Sequence, residues 1–336
     1  MSGLLESLAS SLGGDTAASI GKALGVDGSA ITKGIGATGP LLLGGMAKMA
    51  GTPSGADSLL KMLPQDPGGL LGGLGNIGSM LSGLMGGGAS PAASGGTLST
   101  LLGPGVNAVS ASLSKALGFN VAPLLGLVAP AALGFVAKAV KAQNLDASGL
   151  ASILTRENAA FAANPANKET VALLSSAMEA GSQASSLIAS YGPDWSKVVL
   201  GPAAALFMVA TSDFSGPIGS IKEAKAAGDA LAEAARRAPP TSVIATAFAG
   251  GLTPDMLSQL KAAAPTKDKL MDVVKAGAAA VAAKSPGEAQ AYKDTLMAVA
   301  KASAEAAKEG GFLGIGGTLV SEEEQTALNA LKAALA

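Results

Sequence analysis

The chain has 336 residues, 14% of them charged, with 23 basic and 24 acidic side chains and a net charge of −1. That balance provides no broad basic face for a phosphate backbone and little self-repulsion to keep copies apart, so a homo-oligomer is expected. With neither cysteine nor histidine in the sequence, disulfides, thiolate nucleophiles, the usual zinc sites and Ser–His–Asp or Cys–His catalysis within one chain are excluded.

Met1-Ser2-Gly3-Leu4-Leu5-Glu6 carries an early acid and no basic run. It does not read as a secretory leader, and a cytoplasmic location is expected. An internal repeat follows. Ile20-Gly21-Lys22-Ala23-Leu24-Gly25, then Gly39-Pro40-Leu41-Leu42-Leu43-Gly44-Gly45-Met46-Ala47-Lys48, returns as Leu113-Ser114-Lys115-Ala116-Leu117-Gly118, then Ala129-Pro130-Ala131-Ala132-Leu133-Gly134-Phe135-Val136-Ala137-Lys138. The copies, 15–63 and 108–154, each predict helix, turn, helix, helix. Gly25 and Gly118 suit a left-handed C-terminal cap. Pro40 and Pro130 are expected in the first turn of the next helix, where the missing N–H would have no partner anyway. That helix is apolar nearly all round and should be central and buried.

The uncharged run Phe119–Ala137 approaches the length of a membrane span. It contains Pro123 and Pro130, and its counterpart in the first copy carries Lys33 and several glycines. Two related units should share one environment, so a span is disfavoured. Between the copies, 65–97 reads as a Gly-rich linker, most flexible over Gly86–Gly96, with a short helix at Ile77–Met85. The stretch 156–192 reads as a connecting helix, with Val171, Leu174, Met178 and Gly181 at helical spacing and a stop at Gly192-Pro193.

A helical C-terminal domain, 193–336, follows. Pro202 is expected to open an apolar helix through Val209, and Pro217 one running to about Arg237. Thr253 caps a helix led by Pro254. Leu270, Val273, Val274, Gly277 and Val281 form one buried stripe, and Tyr292, Leu296, Val299 and Ser303 another. Ser321 with Glu324 makes a capping box before a last helix holding Leu328, Leu331 and Leu335. No segment alternates β-branched residues, so the fold class is all-α.

Candidate chemistry is sparse. The segment 20–36 looks like a helix-turn-helix, yet its second helix offers base edges only Ser29, Thr32 and Lys33, and Gly34 and Gly36 weaken it; a packing corner is favoured. Gly310–Thr318 follows a helix and lacks the lysine of a phosphate loop. It reads as a connector pinned by Phe312, Leu313 and Ile315. Glu322-Glu323-Glu324 occupy a first helical turn, where acids offset the dipole and cannot converge on one metal ion. Arg236-Arg237 is a basic pair suited to a helix C-terminus. Tyr191-Gly192-Pro193-Asp194-Trp195 holds the only tryptophan. With Phe312 it supplies the anchor candidates, Tyr191 and Trp195 being either a latch between domains or a partner-binding anchor, the latch favoured.

Residues 1–155 resemble the YidB-like family of bacterial proteins, through Met1-Ser2-Gly3-Leu4-Leu5, Ala23-Leu24-Gly25, Pro40-Leu41-Leu42-Leu43-Gly44, the Gly-rich middle and a second copy ending near Leu154. The resemblance implies an all-α fold with a homeodomain-like helical arrangement and no assigned catalytic residues. The C-terminal half resembles another bacterial helical module at Ser215-Gly216-Pro217-Ile218-Gly219 and 310–324, and no site is carried from it.

The expected role is therefore non-enzymatic: a structural or interaction protein that self-associates through apolar, small-residue helix faces. No catalytic residue, cofactor, metal or small-molecule substrate is inferred. The alternatives are a peripheral membrane protein inserting Phe119–Ala137 or Val198–Val209, and, less favoured, a nucleic-acid binder using 20–36.

Overall fold

The computed structural model describes residues 3–66, 91–211, 216–263, 266–306 and 320–336. Every regular element among them is helical. The chain divides into two compact units, Met1–Gly181 and Ser182–Ala336, each with its own apolar core.

The first unit contains α1 (Leu4–Leu12), α2 (Asp15–Leu24), α3 (Gly28–Ala50), α4 (Pro53–Met62), α5 (Pro91–Leu102), α6 (Val106–Leu117), α7 (Ala122–Gln143) and α8 (Ala147–Ala163). The same four-helix order occurs twice, α1–α4 and α5–α8. Gly25 ends α2 at φ 67° and Gly118 ends α6 at φ 81°, both left-handed, as the sequence predicts. Thr52 caps α4 by accepting from the Gly55 N–H, and Asp146 caps α8 by accepting from the Gly149 N–H. The long helices α3 and α7 pack on each other at the centre; α1 lies across both, and so does α5.

Two expectations need correction here. Pro40 and Pro130 do not open helices; each lies inside one. A mid-helix proline withholds an N–H from the carbonyl four residues back, and its ring crowds that carbonyl. In α3 and α7 the carbonyl belongs to Gly36 and Gly126, and apart from the helix's own nearby backbone nothing lies within 4 Å of where a Cβ would stand on either. The backbone can tilt there, and burial of Leu41, Leu42, Leu125 and Val128 holds the helix together across the break. The second correction concerns the expected linker 65–97. Residues 91–97 belong to α5. Ile77–Met85 and most of the linker lie outside the described residues, as do Gly310–Thr318 and therefore Phe312.

After α8, a single 3₁₀ turn at Pro165–Asn167 leads into α9 (Lys168–Tyr191). The helix marked by Val171, Leu174, Met178 and Gly181 is α9, ending at Tyr191 as expected; the earlier part of the stretch 156–192 belongs to α8, and the two are separated where Asn164 precedes Pro165 and takes extended backbone. The boundary between the units falls within α9 rather than at 155, because Ala177 is buried in the first core, as are Leu150, Ile153 and Leu154 of α8.

The second unit continues with α10 (Trp195–Ala210), α11 (Gly216–Arg237), α12 (Val243–Phe248), α13 (Pro254–Ala263), α14 (Lys267–Lys284), α15 (Ala289–Ala306) and α16 (Glu322–Leu335). At its centre lies α10, apolar on nearly every face, with α14 and α15 packed closely against it. Pro202 again lies inside the helix rather than at its start. The caps follow expectation: Thr253 Oγ1 accepts from the Met256 N–H, and Ser321 with Glu324 forms the reciprocal box. Leu270, Val274, Gly277, Val281, Tyr292, Leu296, Val299 and Ser303 are all buried.

Candidate interaction sites

At the start of the second unit, α9 ends on Tyr191. Gly192, at φ 57°, lets the chain reverse into the 3₁₀ turn Gly192–Asp194 before Trp195 opens α10. The two anchor candidates come together here. Their rings meet edge to face, centroids 5.3 Å apart at 74°. Tyr191 is fully buried and its hydroxyl donates to Ser285 Oγ at 2.8 Å. Burial holds the Tyr191 phenol above its ordinary range, and the nearby Glu288 carboxylate adds to the effect. Trp195 is half-buried and retains exposed surface.

Lys284, the last residue of α14, secures the same corner. Its ammonium donates to the carbonyls of Ser190 (2.8 Å) and Tyr191 (3.1 Å), lies 3.8 Å from Asp194 Oδ2, and sits 5.7 Å from the Tyr191 ring centre. Those carbonyls are at the negative end of α9, where a cation is favoured. Asp194 also accepts from Lys197 at 2.7 Å, and that hydrogen bond, with the charges of Lys197 and Lys284, keeps its carboxyl below the usual range.

One layer inward, Pro202 leaves the Val198 carbonyl without a helical donor. Tyr292 replaces it, its hydroxyl donating at 2.8 Å in a fully buried position. Two glycines make the space. A Cβ on Gly201 would collide with that hydroxyl, and one on Gly277 would stand 2.7 Å from it and 2.8 Å from the Lys197 carbonyl. The Tyr292 ring stacks on Phe248 at 6.2 Å, and burial raises its phenol well above the ordinary range. Both tyrosines are held neutral, with their hydroxyls donated inside the unit. Sequence reading found Tyr292 as a core residue; its hydrogen-bond partner, 94 positions away, left no local signal.

A groove of about 640 Å³ lies beside α12 and α15, with Arg237, Ser242, Glu288, Asp294 and Thr295 among its lining. Glu288 accepts from the Val243 N–H at 2.8 Å. Desolvation raises its carboxyl above the ordinary range, and that hydrogen bond pulls the other way.

The first unit presents a different surface. Pro40, Leu41 and Gly44 of α3, Phe161 of α8, and Leu174 and Met178 of α9 line a groove of about 300 Å³. Phe161, Leu174 and Met178 are half-exposed there. Elsewhere in this unit, Ser29, Thr32 and Lys33 lie exposed on the first turns of α3. The α2–α3 corner they flank is tight: the Val26 N–H donates to the Gly21 carbonyl at 2.8 Å, and a Cβ on Gly28 would stand 3.3 Å from the Ala18 backbone. In the second unit, Arg236 and Arg237 both pair with Glu233. Glu324 is buried in its cap while Glu322 and Glu323 are exposed. Among the described residues one helix, Ala122–Gln143, is long and apolar enough to cross a membrane, and 61% of its most apolar stretch is buried inside the protein.

Fold and surfaces together define an all-α protein with two helical cores and, on the first, a groove lined by both apolar and polar side chains. Residues 6–139 match the model of a family described as bacterial protein of unknown function (DUF937), a span that takes in all of α3 and most of α7. No curated protein and no solved structure matches the chain.

Proposed function

We propose that this is a non-enzymatic cytoplasmic protein that self-associates through apolar, small-residue helix faces. In this reading its first unit is a YidB-like one, a homeodomain-like helical motif present in two copies, and the second unit is a separate helical module. The observation that carries the reading is the groove of the first unit. There, half-exposed Phe161, Leu174 and Met178 flank the proline turn of the central helix, and Gly44 keeps the floor low enough for a second helix to approach. Half-exposed apolar side chains around a concavity that Asn158 and Ser175 also line, on a chain with so little charge, are the kind of surface that association covers. Trp195 is a secondary anchor on the other unit.

Light scattering of the full-length chain across a dilution series tests the reading. The expected mass lies above the 32.3 kDa of one chain and falls on dilution by mass action. In Phe161→Glu it collapses to that of one chain, while the helical signal is retained. A single-chain mass for the wild type at tens of micromolar overturns the proposal. A second reading, insertion of α7 at a membrane surface, draws on its length and hydropathy alone. Flotation with liposomes separates the two, since a self-associating soluble particle stays in the lower layer with or without anionic lipid.

A further inference from the structure

Helix α1 is an arm laid on the first unit. Leu8 and Leu12 are 1% and 2% exposed, Leu4 and Leu5 are half-buried, and Glu6, Ala9, Ser10 and Ser11 face outward. The seat is cut by glycine: a Cβ on Gly39 of α3 would stand 3.0 Å from Leu8 Cδ2. A tether holds the first turn, the Leu4 N–H donating to Glu157 Oε2 of α8 at 2.8 Å. A helix of nine residues is too short to persist unaided in water, so α1 depends on this seat.

Its connection to the rest is a hinge. Gly13 and Gly14 join α1 to α2, and Gly14 holds φ 56°, ψ −128°, a conformation that side chains with a Cβ rarely adopt. α1 touches its sequence neighbour α2 less than it touches α3 and α7, so what holds it is remote in sequence. The second half builds the same joint, again with a left-handed glycine between its first two helices, Gly103 at φ 85°: α5 lies on α7 and α3 with Leu98, Leu101 and Leu102 buried, and a Cβ on Gly45 would stand 2.7 Å from the Leu101 carbonyl.

We propose that α1 exchanges between copies, hinging at Gly13–Gly14 and seating in the α3–α7 groove of a second chain. A groove already shaped for this helix accepts the identical helix of another copy with no new complementarity required, which makes exchange a low-cost route to association. The arm's seat also adjoins the groove beside Phe161. Glu157 and Phe161 are four residues apart on one face of α8, and Gly39 adjoins Pro40, so an exchanged arm brings the second chain beside Phe161. The inference rests on the self-association reading and names its contact.

The chain has no cysteine, so introduced thiols are the only ones present. Full-length Gly3→Cys/Ala160→Cys keeps the Glu157 tether and puts the second thiol at an exposed position one turn along α8; treated with a bis-maleimide, it reports whether the arm is seated. A tagged Gly3→Cys chain co-expressed with an untagged Ala160→Cys chain reports exchange. The expected result is a covalent tagged–untagged dimer from the mixture, together with a native mass above one chain. A native mass above one chain with cross-links only inside single molecules overturns the exchange and leaves self-association standing. A single-chain mass overturns the self-association reading itself. Failure of the double variant to link at all shows that α1 does not seat against Glu157, and also overturns the proposal.

Discussion

Both units place a proline in the middle of a buried central helix, and they accommodate it differently. In the first unit the bereft carbonyls belong to Gly36, which is exposed, and Gly126, which is half-buried. Water can reach both, and a glycine backbone can tilt. In the second unit the carbonyl belongs to Val198, fully buried, where an unpaired acceptor is costly. There the fold supplies a donor, the Tyr292 hydroxyl, and clears its path with Gly201 and Gly277. A helix-interior proline is thus cheap beside solvent and demands a built socket in a core. The first arrangement should therefore tolerate substitution, and the second should not.

Four sets of variants put this contrast and the neighbouring carboxylates to the test. The largest effect is expected from Tyr292→Ala, which empties a packed aromatic site and should cost roughly 3–5 kcal/mol, measured by urea unfolding of the full chain. A loss below about 1 kcal/mol would remove the socket from the account. Next comes a matched pair of glycine replacements. Gly201→Ala drives a methyl into the Tyr292 hydroxyl and should destabilise by about 1–3 kcal/mol. Gly126→Ala meets open space and should be neutral or stabilising by up to about 1 kcal/mol, as for alanine over glycine in a helix. Equal losses in both would mean that the two prolines are housed alike.

A smaller effect concerns pH. Because burial raises the folded-state pKa of Glu288, its protonated form suits the fold better than its ionised form. The stability it contributes is full below the ordinary value near 4.5 and is lost as pH rises through the raised folded value. Glu288→Gln keeps an acceptor for the Val243 N–H and should flatten that part of the stability–pH curve. Asp194 has the opposite sign: its lowered pKa gives stability that is present above the ordinary carboxylate range and lost as pH falls through the folded value. Its carboxylate is partly exposed and screened by solvent, so Asp194→Asn should give the smallest change of the set. A curve unchanged by Glu288→Gln would show that this carboxyl is not desolvated in the native state.

Much of the fold could be read from local chemistry. Left-handed caps at Gly25 and Gly118, the Thr253 cap and the Ser321–Glu324 box all have signals within four residues, and all appear where the sequence puts them. The prolines misled because the first helical turn is where proline is cheapest. Only the buried apolar residues on both sides of Pro40, Pro130 and Pro202 make a continuous helix the better solution, and that is a tertiary effect. Helices α1 and α5 are hidden in the sequence for a different reason. Leu4, Leu5, Leu8 and Leu12 do have helical spacing, as do Leu98, Leu101 and Leu102, but serine- and glycine-rich surroundings obscured it. Tyr191 and Trp195 were legible as a pair because the chain keeps them adjacent, and Lys284 and Ser285 were not, because they arrive from ninety-odd positions away.

The most direct measurement is a double-mutant cycle on Tyr292→Phe and Pro202→Ala, read as unfolding free energy. Alanine at 202 returns the N–H that the Val198 carbonyl lacks, so losing the Tyr292 hydroxyl should cost about 1–3 kcal/mol in the proline background and markedly less in the alanine background. Equal costs in the two backgrounds would contradict the account, because the hydroxyl would then be serving something other than the carbonyl that proline leaves bare.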